Sequence, residues 1–530
     1  MLRPLIKHQT NNKFLEVSAL SKNSIFNRPL LVLLTLLSAA CGGGGASEPP
    51  VITPVASTQA PEITQFSFLV ANNPDLDNDI NLSINDQMIS GRSQTDSAVD
   101  SLIATIEHRG ETLEVGSVVQ SSGSSVNDFT QLVEYSITTD DGRQETYTVD
   151  LTRFTGLPII YLSTADNASI DSKEDYVDGR VTLEGGRDFA SLQDAEMKIR
   201  GRGNSTWFLH PKKPFQMKLS DKYEMLGMPE DKKWLFLAEY SDKTMLRNTI
   251  VFEMGYLSNL DWTPKSEFAE VYLNQEYTGT YNITQKVEED GDRVALGDTG
   301  FLLEIDQLDR LDPDDVYFET NEFLINIKEP ELANADAQYT YIKSLITQFE
   351  TALFSSSYRD ADSGYRRFID MDSFVDWYLI NEITRNQDSR LYSSIFLNVI
   401  PGEPIKMGPL WDFDLAFGNV DYSDSRYTQG FHVRYNAWYN RMFSDPVFIA
   451  VLKERFAFFR NNQQLILGKI DDYAEKLAFA QQQNDDKWQT LGNYVWPNPV
   501  VFDTYEEEVA HLKSWYSERM DWLESEFNSL

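Results

Sequence analysis

Two aspartates, Asp412 and Asp414, sit in the run Met407-Gly-Pro-Leu-Trp-Asp-Phe-Asp-Leu-Ala-Phe-Gly418, among Trp, Phe and Leu. A carboxylate in apolar company is costly unless something pairs with it. The run therefore calls for an arginine, a metal ion or a charged substrate. Upstream lies Asn386-Gln-Asp388-Ser-Arg390. Between the two, 391–400 reads as a strand and Pro401-Gly-Glu-Pro404 as a turn, which sets carboxylate-bearing loops at either end of one hairpin. Hard cations such as Mg²⁺ take carboxylate and amide oxygens and few dedicated protein ligands, so Asp412, Asp414 and Asn386 form a candidate set. Salt bridges to Arg385, Arg390 or another arginine are the plain alternative. A glycosidase-type carboxylate pair is a further one.

Two basic clusters come earlier. Met197-Lys-Ile-Arg-Gly-Arg-Gly-Asn-Ser-Thr-Trp207 runs a strand into glycines beside Arg200 and Arg202. Glycine lets backbone N–H groups approach an anion, and arginine adds charge-matched donors. Arg202, Gly203, Asn204 and Ser205 are thus candidate phosphate contacts, although Gly-rich turns without ligands are common. The stretch has neither the lysine-bearing end of a P-loop nor a dinucleotide fingerprint. In Lys212-Lys-Pro-Phe-Gln-Met-Lys-Leu219, Lys218 alternates with Gln216 along a strand. It can reach phosphates held under the preceding hairpin, or it is an edge-strand lysine facing water.

The elements that must position these residues change character along the chain. From 62 to 152, short β-type runs are split by turn signals, with Asp140-Asp-Gly142 marking a hairpin. About seven strands in this span predict an all-β, immunoglobulin-like sandwich. After Gly156, strands (157–162, 196–200, 215–219, 268–273, 278–283, 301–305) mix with helices (244–257 behind the cap Ser241, 338–353, 373–383 opening at Ser373). The last hundred residues read as helical, with Pro446 in a first turn and Thr504-x-x-Glu507 as a capping box. The fold class is α+β with a helical C-terminal subdomain.

Formal net charge is −36, which argues against a nucleic-acid partner, since phosphate backbones require a basic face. Five histidines and one cysteine leave little for a His-rich zinc site or a disulfide framework. That cysteine, Cys41, ends the run Pro29-Leu-Leu-Val-Leu-Leu-Thr-Leu-Leu-Ser-Ala-Ala40 and precedes four glycines. The run is too short for an ordinary membrane helix and has signal-peptide grammar. The expectation is a signal peptide over 1–40, lipidation at Cys41, a flexible tether over 41–61, and a lipid-anchored, exported protein of the cell envelope, on the outer membrane of a Gram-negative bacterium.

The clusters are joined by further stretches: Leu226-Gly-Met-Pro-Glu-Asp-Lys-Lys-Trp234, Tyr240-Ser-Asp-Lys-Thr-Met-Leu-Arg-Asn248, Glu270-Val-Tyr-Leu-Asn-Gln-Glu-Tyr-Thr-Gly279, Thr284-Gln-Lys-Val-Glu288 and Leu302-Leu-Glu-Ile-Asp306. In this order they resemble the CotH kinase family, the spore coat protein H type of atypical protein kinase, over roughly 157–460, with 461–530 a helical extension. The resemblance implies a divergent kinase-like domain, ATP with Mg²⁺ (or Mn²⁺) as cofactors, and transfer of the γ-phosphoryl group to protein serine or threonine. It implies Asp388 as catalytic aspartate and Asp412 as metal ligand, with Asp414 a second ligand or a structural carboxylate. Lys218 would contact phosphates, Glu253 would be its ion-pair partner, and Lys286 would lie in the 284–288 connection beside the adenine. The acidic composition suggests basic, Ser-rich acceptors. The alternative is a surface adhesin on the same fold without catalysis, which would have no need of Asp388, Asp412 and the basic residues together.

Overall fold

The computed structural model describes residues 60–530 except 77, 94–97, 153, 187, 334–335 and 391–392. The expected signal run, Cys41 and nearly all of the tether lie outside the described residues. The first described region is all β. A three-stranded sheet centred on Glu62–Phe68 and a six-stranded sheet containing Met88–Arg92, Gln144–Thr152 and Val133–Thr138 enclose one core with Phe66, Phe68, Tyr135 and Val149. Val133–Thr138 and Gln144–Thr152 form the expected hairpin, with Gly142 at φ 82° in the turn. Gln144–Thr152 also pairs in parallel with Met88–Arg92.

Next comes a closed seven-stranded barrel: Ile159–Thr164, Val177–Glu184, Leu192–Gly201, Phe215–Met225, Met228–Leu237, Glu276–Gln285 and Ser266–Leu273 in spatial order. Parallel pairing of Ser266–Leu273 with Ile159–Thr164 closes it. Ile160, Val181, Met217, Trp234 and Tyr281 fill its interior, as alternation along each strand requires. Every strand expected from the sequence here is present, several of them longer.

Behind the barrel a five-stranded antiparallel sheet, with Phe301–Asp306 and Ile395–Val399 at its centre, packs with the helices on the largest core. Helix Met371–Thr384 is buried on all sides from Ser373 onward. Its cap is Asp370, which accepts from Ser373 N at 2.8 Å, one turn earlier than expected, because Ser373 is already inside the helix. The predicted capping box holds: Thr504 and Glu507 bond reciprocally and begin the final helix, Tyr505–Ser529. Asp445 caps helix Pro446–Asn461, with the proline in its first turn. Ser241 is not a cap; helix Arg247–Tyr256 begins later, its first N–H donating to Asp242 at 2.8 Å. Among the described residues no helix is long and apolar enough to cross a membrane.

Candidate functional site

Helix Met371–Thr384 ends at Arg385, whose left-handed φ of 48° turns the chain sharply. The Arg385 guanidinium does not touch the aspartates. It donates to the carbonyls of Tyr427, at 2.6 Å, and Gln429. The next residue, Asn386, ties the two expected loops together. Its amide nitrogen donates to the Asp412 carbonyl at 3.1 Å, and its amide oxygen accepts from Asp388 N at 3.3 Å. Asn386 is thus a brace between the two loops, and its amide oxygen, which accepts one 3.3 Å bond, keeps a second lone pair. Among the described residues no hydrogen bond reaches the Asp388 carboxylate. Burial, and then the charge of Asp412, push its pKa up to about 7.

Asp412 holds φ at 63°, a conformation non-glycine residues adopt at a cost of about 1–3 kcal/mol and one that concentrates at functional sites. Among the described residues its carboxylate accepts one long contact, 3.5 Å from Ser394 Oγ. The Asp414 side chain accepts no hydrogen bond among the described residues. Burial, then Asp412 and Glu239, hold its carboxyl well above the usual range. No direct ion pair joins Asp388, Asp412 or Asp414 to an arginine among the described residues, and Arg202 and Arg310 act on them through longer-range charge.

Facing these carboxylates is Arg202. Its guanidinium lies 5.6 Å from the Trp411 ring centroid, and among the described residues it hydrogen-bonds to no protein group. Burial lowers its pKa while Asp412, Asp414 and Glu239 oppose that shift. Arg202 lines two adjoining cavities. One holds Asp412, Asp414, Glu239, Asn248, Lys212 and Thr206. The other holds Gln216, Leu235, Lys286, Val287, Glu288 and Phe396. Two glycines set its position. A Cβ on Gly201 would fall 2.4 Å from the Trp207 ring, and Gly203 sits at φ 84°. Asn204 and Ser205 open the short helix Ser205–Leu209 and point to solvent, and Asn204 Oδ1 accepts from Lys173 at 3.4 Å. Of the expected phosphate run, Arg202 reaches the cavities and Asn204 and Ser205 do not line them.

Lys286 lies where the 284–288 connection was expected, at the second cavity, with Nζ 3.2 Å from Glu288. Lys218 and Glu253 lie elsewhere. Lys218 is exposed beyond Gln216, opposite Lys198 and Lys233 on the neighbouring strands, and lines a separate groove with Tyr176 and Asp178. Glu253 is five positions after Asn248, about 140° around the helix. It accepts from Tyr473 at 2.7 Å and pairs with Lys469 at 3.4 Å. The expected Lys218–Glu253 pair does not form, because the helix turns that face toward the C-terminal helices.

Sequence reasoning overlooked three residues. Glu239, 8% exposed, has its pKa pushed up to about 8 by burial and then by Asp242. Lys212, 1% exposed, donates to Asn484 at 2.8 Å and to the Thr280 carbonyl, and burial brings its pKa down to about 7. Asn248 links helix Arg247–Tyr256 to Phe413. Each lies in or beside a stretch that carries the family resemblance, but no residue type or spacing gave it a role.

Among the described residues no group of three or more His, Cys, Asp or Glu side chains is placed to hold a metal by itself. The donor set does fit a hard cation shared with phosphate oxygens: Asp412 and Asp414 keep nearly all their acceptor capacity, and an uncommitted guanidinium faces them.

Residues 199–523, more than half of the chain, match the family model described as CotH kinase protein. No curated protein matches. Two solved structures from Bacteroides species match in part. A crystal structure described as a secreted protein of Bacteroides fragilis is 14% identical, covering 18% of this chain and 95% of its own, with a TM-score of 0.14. One described as a glycoside hydrolase of Bacteroides thetaiotaomicron is 12% identical, covering 55% and 89%, with a TM-score of 0.17.

Proposed function

Because the chain belongs to the CotH kinase family, we propose that it is a protein kinase that uses ATP and Mg²⁺ (or Mn²⁺) to phosphorylate serine or threonine of a protein acceptor. One observation carries this reading: the Asp388 and Asp412 carboxylates are near enough for their charges to couple, and Asp412 and Asp414 line one cavity with an Arg202 whose guanidinium hydrogen-bonds to no protein group among the described residues. Asp412 and Asp414 would hold the cation, which supplies charge neutralisation along the triphosphate when bound. Arg202 would donate its planar fork to phosphate oxygens. Lys286 and the apolar walls Leu235, Val287 and Phe396 would flank the base. Asp388 would orient the acceptor hydroxyl and accept its proton as the new O–P bond forms and the bond to ADP breaks. Transfer of this kind needs positioning and charge stabilisation more than covalent chemistry.

The finer setting is part of the same proposal. Lipidation at Cys41 would tether the enzyme to the cell envelope through the segment up to residue 61, with the region 62–152 as an immunoglobulin-like spacer. The acidic composition suits basic, Ser-rich acceptors.

The test is incubation of the full chain with labelled ATP and Mg²⁺ or Mn²⁺, beside Asp388→Asn and Asp412→Ala. Wild type should transfer label to itself or to a basic Ser-rich peptide, and both variants should lose at least a hundredfold. A wild type that neither binds nucleotide nor transfers phosphate would leave the binding-protein reading in its place.

A further inference from the structure

Kinase-like sites couple their metal-bearing loop to the nucleotide-binding half, and the strand lysine and helix glutamate expected to do this here are both turned away. A different set of groups crosses the same gap. The chain leaves strand Met228–Leu237 and turns at Glu239, at φ 49°, before entering helix Arg247–Tyr256. Three bonds join this region to the loop that carries Asp412 and Asp414, and a fourth braces that loop internally. Phe413 N donates to Asn248 Oδ1 at 2.8 Å. Arg247 Nε donates to the Ala416 carbonyl at 3.1 Å. Asn419 Nδ2 donates both to the Ser241 carbonyl at 3.0 Å and to the Asp414 carbonyl at 2.9 Å.

The first of these bonds is aimed. A backbone N–H can be met only by an acceptor, so the Asn248 carbonyl end must face Phe413. Its NH₂ end then faces Glu239, whose two oxygens lie 3.1 and 3.3 Å away. Asn282 Nδ2, at 3.5 Å, braces the same carboxylate from the barrel. Phe413 is the residue between the two candidate metal ligands. Its N–H fixes the peptide plane that joins it to Asp412, the residue held at positive φ. Asn248 is 4% exposed and Glu239 8%, so water is a poor substitute for either partner.

We propose that Glu239 and Asn248 are positioning residues that set the Asp412–Asp414 loop for metal–nucleotide binding, in place of the lysine–glutamate pair. The proposal rests on the kinase reading above and extends it to two residues whose bonds set the loop that carries the candidate ligands. Outer-shell partners of this kind change metal affinity by roughly 10–100-fold.

The test is calorimetric titration of the full chain with Mn²⁺ in the presence of ATP, alongside thermal melts. Asn248→Leu removes the acceptor for Phe413 N and should weaken Mn²⁺ binding by about tenfold or more. The exchange Glu239→Gln with Asn248→Asp rebuilds the relay with the donor reversed. The amide now at position 239 donates to one oxygen of the carboxylate now at position 248, whose other oxygen accepts from Phe413 N. The exchange keeps one carboxylate in the pair and should bind Mn²⁺ within about threefold of wild type. A folded N248L with unchanged Mn²⁺ affinity overturns the proposal, whatever its melting temperature, because a purely structural role would move the melt alone. If N248L does not fold, the exchange variant decides, and a folded exchange variant with about tenfold weaker Mn²⁺ binding overturns it as well. Wild type that binds neither Mn²⁺ nor ATP sinks the kinase reading itself, a different result from wild-type binding that N248L leaves intact.

Discussion

Arg519 and Glu382 form an ion pair 2.7 Å apart, and solvent reaches neither side chain. Among the described residues their other side-chain hydrogen bonds tie together the segments around the candidate site. Arg519 Nη1 donates to the Thr428 and Gly430 carbonyls at 2.9 and 2.8 Å, and Nε and Nη2 donate to the Glu382 carbonyl. The Glu382 carboxylate accepts from His432 N at 2.6 Å and Arg434 N at 2.9 Å. One pair thus joins the final helix, the segment 428–434 and the helix that ends just before Asp388.

Breaking that pair from one side should be severe, because it strands a buried charge. Arg519→Met is expected to lose about 3–5 kcal/mol in chemical denaturation. Adding Glu382→Gln should return part of the loss, since it removes the orphaned carboxylate while one oxygen still accepts a backbone N–H. If R519M is no less stable than wild type, the pair does not hold the helices together.

Asp388 gives a pH dependence with a definite sign. Its folded pKa of about 7 lies above the ordinary 3.8. Folding therefore favours the protonated form, and this contribution is present at low pH and lost as pH rises through about 7. In EDTA, Asp388→Asn should match wild type near pH 4 and exceed its stability above pH 7, by roughly 1–3 kcal/mol. Phosphoryl transfer should show the opposite trend, falling on the acid side as the carboxylate protonates. The fall should come at a lower pH than the metal-free protein titrates, because a cation held by Asp412 opposes the charge that raises the Asp388 pKa. Asp412→Asn lowers the Asp388 pKa, so a residual activity in that variant should carry its acid limb to lower pH. Parallel pH curves for D388N and wild-type stability would refute the shift.

Much of this was readable from residue order. Alternation placed the barrel strands, Thr504 and Glu507 announced the last helix, and Asp388 and Asp412 stood out as carboxylates in company that does not suit them. What could not be read is rotation about an axis. Glu253 lies on the right helix but faces Tyr473, and Lys218 lies on the right strand but one side-chain pair beyond the cleft, because packing against the C-terminal helices and closure of the barrel fix those directions. The closing contact, Ile159–Thr164 against Ser266–Leu273, links strands far apart in sequence and leaves no local signature. Asn386 shows a different limit, since nothing in the sequence says that its amide braces two loops.

Gly201 offers a test of how tightly the Arg202 strand is seated. A Cβ there would stand 2.4 Å from two atoms of the buried Trp207 ring, whereas at Gly291 it would meet nothing within 4 Å. Gly201→Ala should therefore cost about 1–3 kcal/mol, and Gly291→Ala should stay within about 0.5 kcal/mol of wild type. Equal melting temperatures for the two variants would mean the tryptophan can step aside freely.

The sharpest comparison sets Arg202 against Lys218, two basic residues that the sequence offers equally for phosphate contact. Arg202 faces Asp412, Asp414 and Glu239 across a cavity and has no protein partner among the described residues, while Lys218 stands in a separate groove beside Lys198. Arg202→Ala should lower kcat/KM for phosphoryl transfer by about 10²–10³, the range for loss of one preorganised donor. Arg202→Lys should recover only part of it, since an ammonium cannot supply the planar fork. Lys218→Ala should stay within about twofold of wild type, as expected for an exposed side chain outside the site. If Lys218→Ala proves as damaging as Arg202→Ala, the nucleotide must lie along the strand face toward Lys198, and the cleft between Arg202 and Asp412 would have to be given another role.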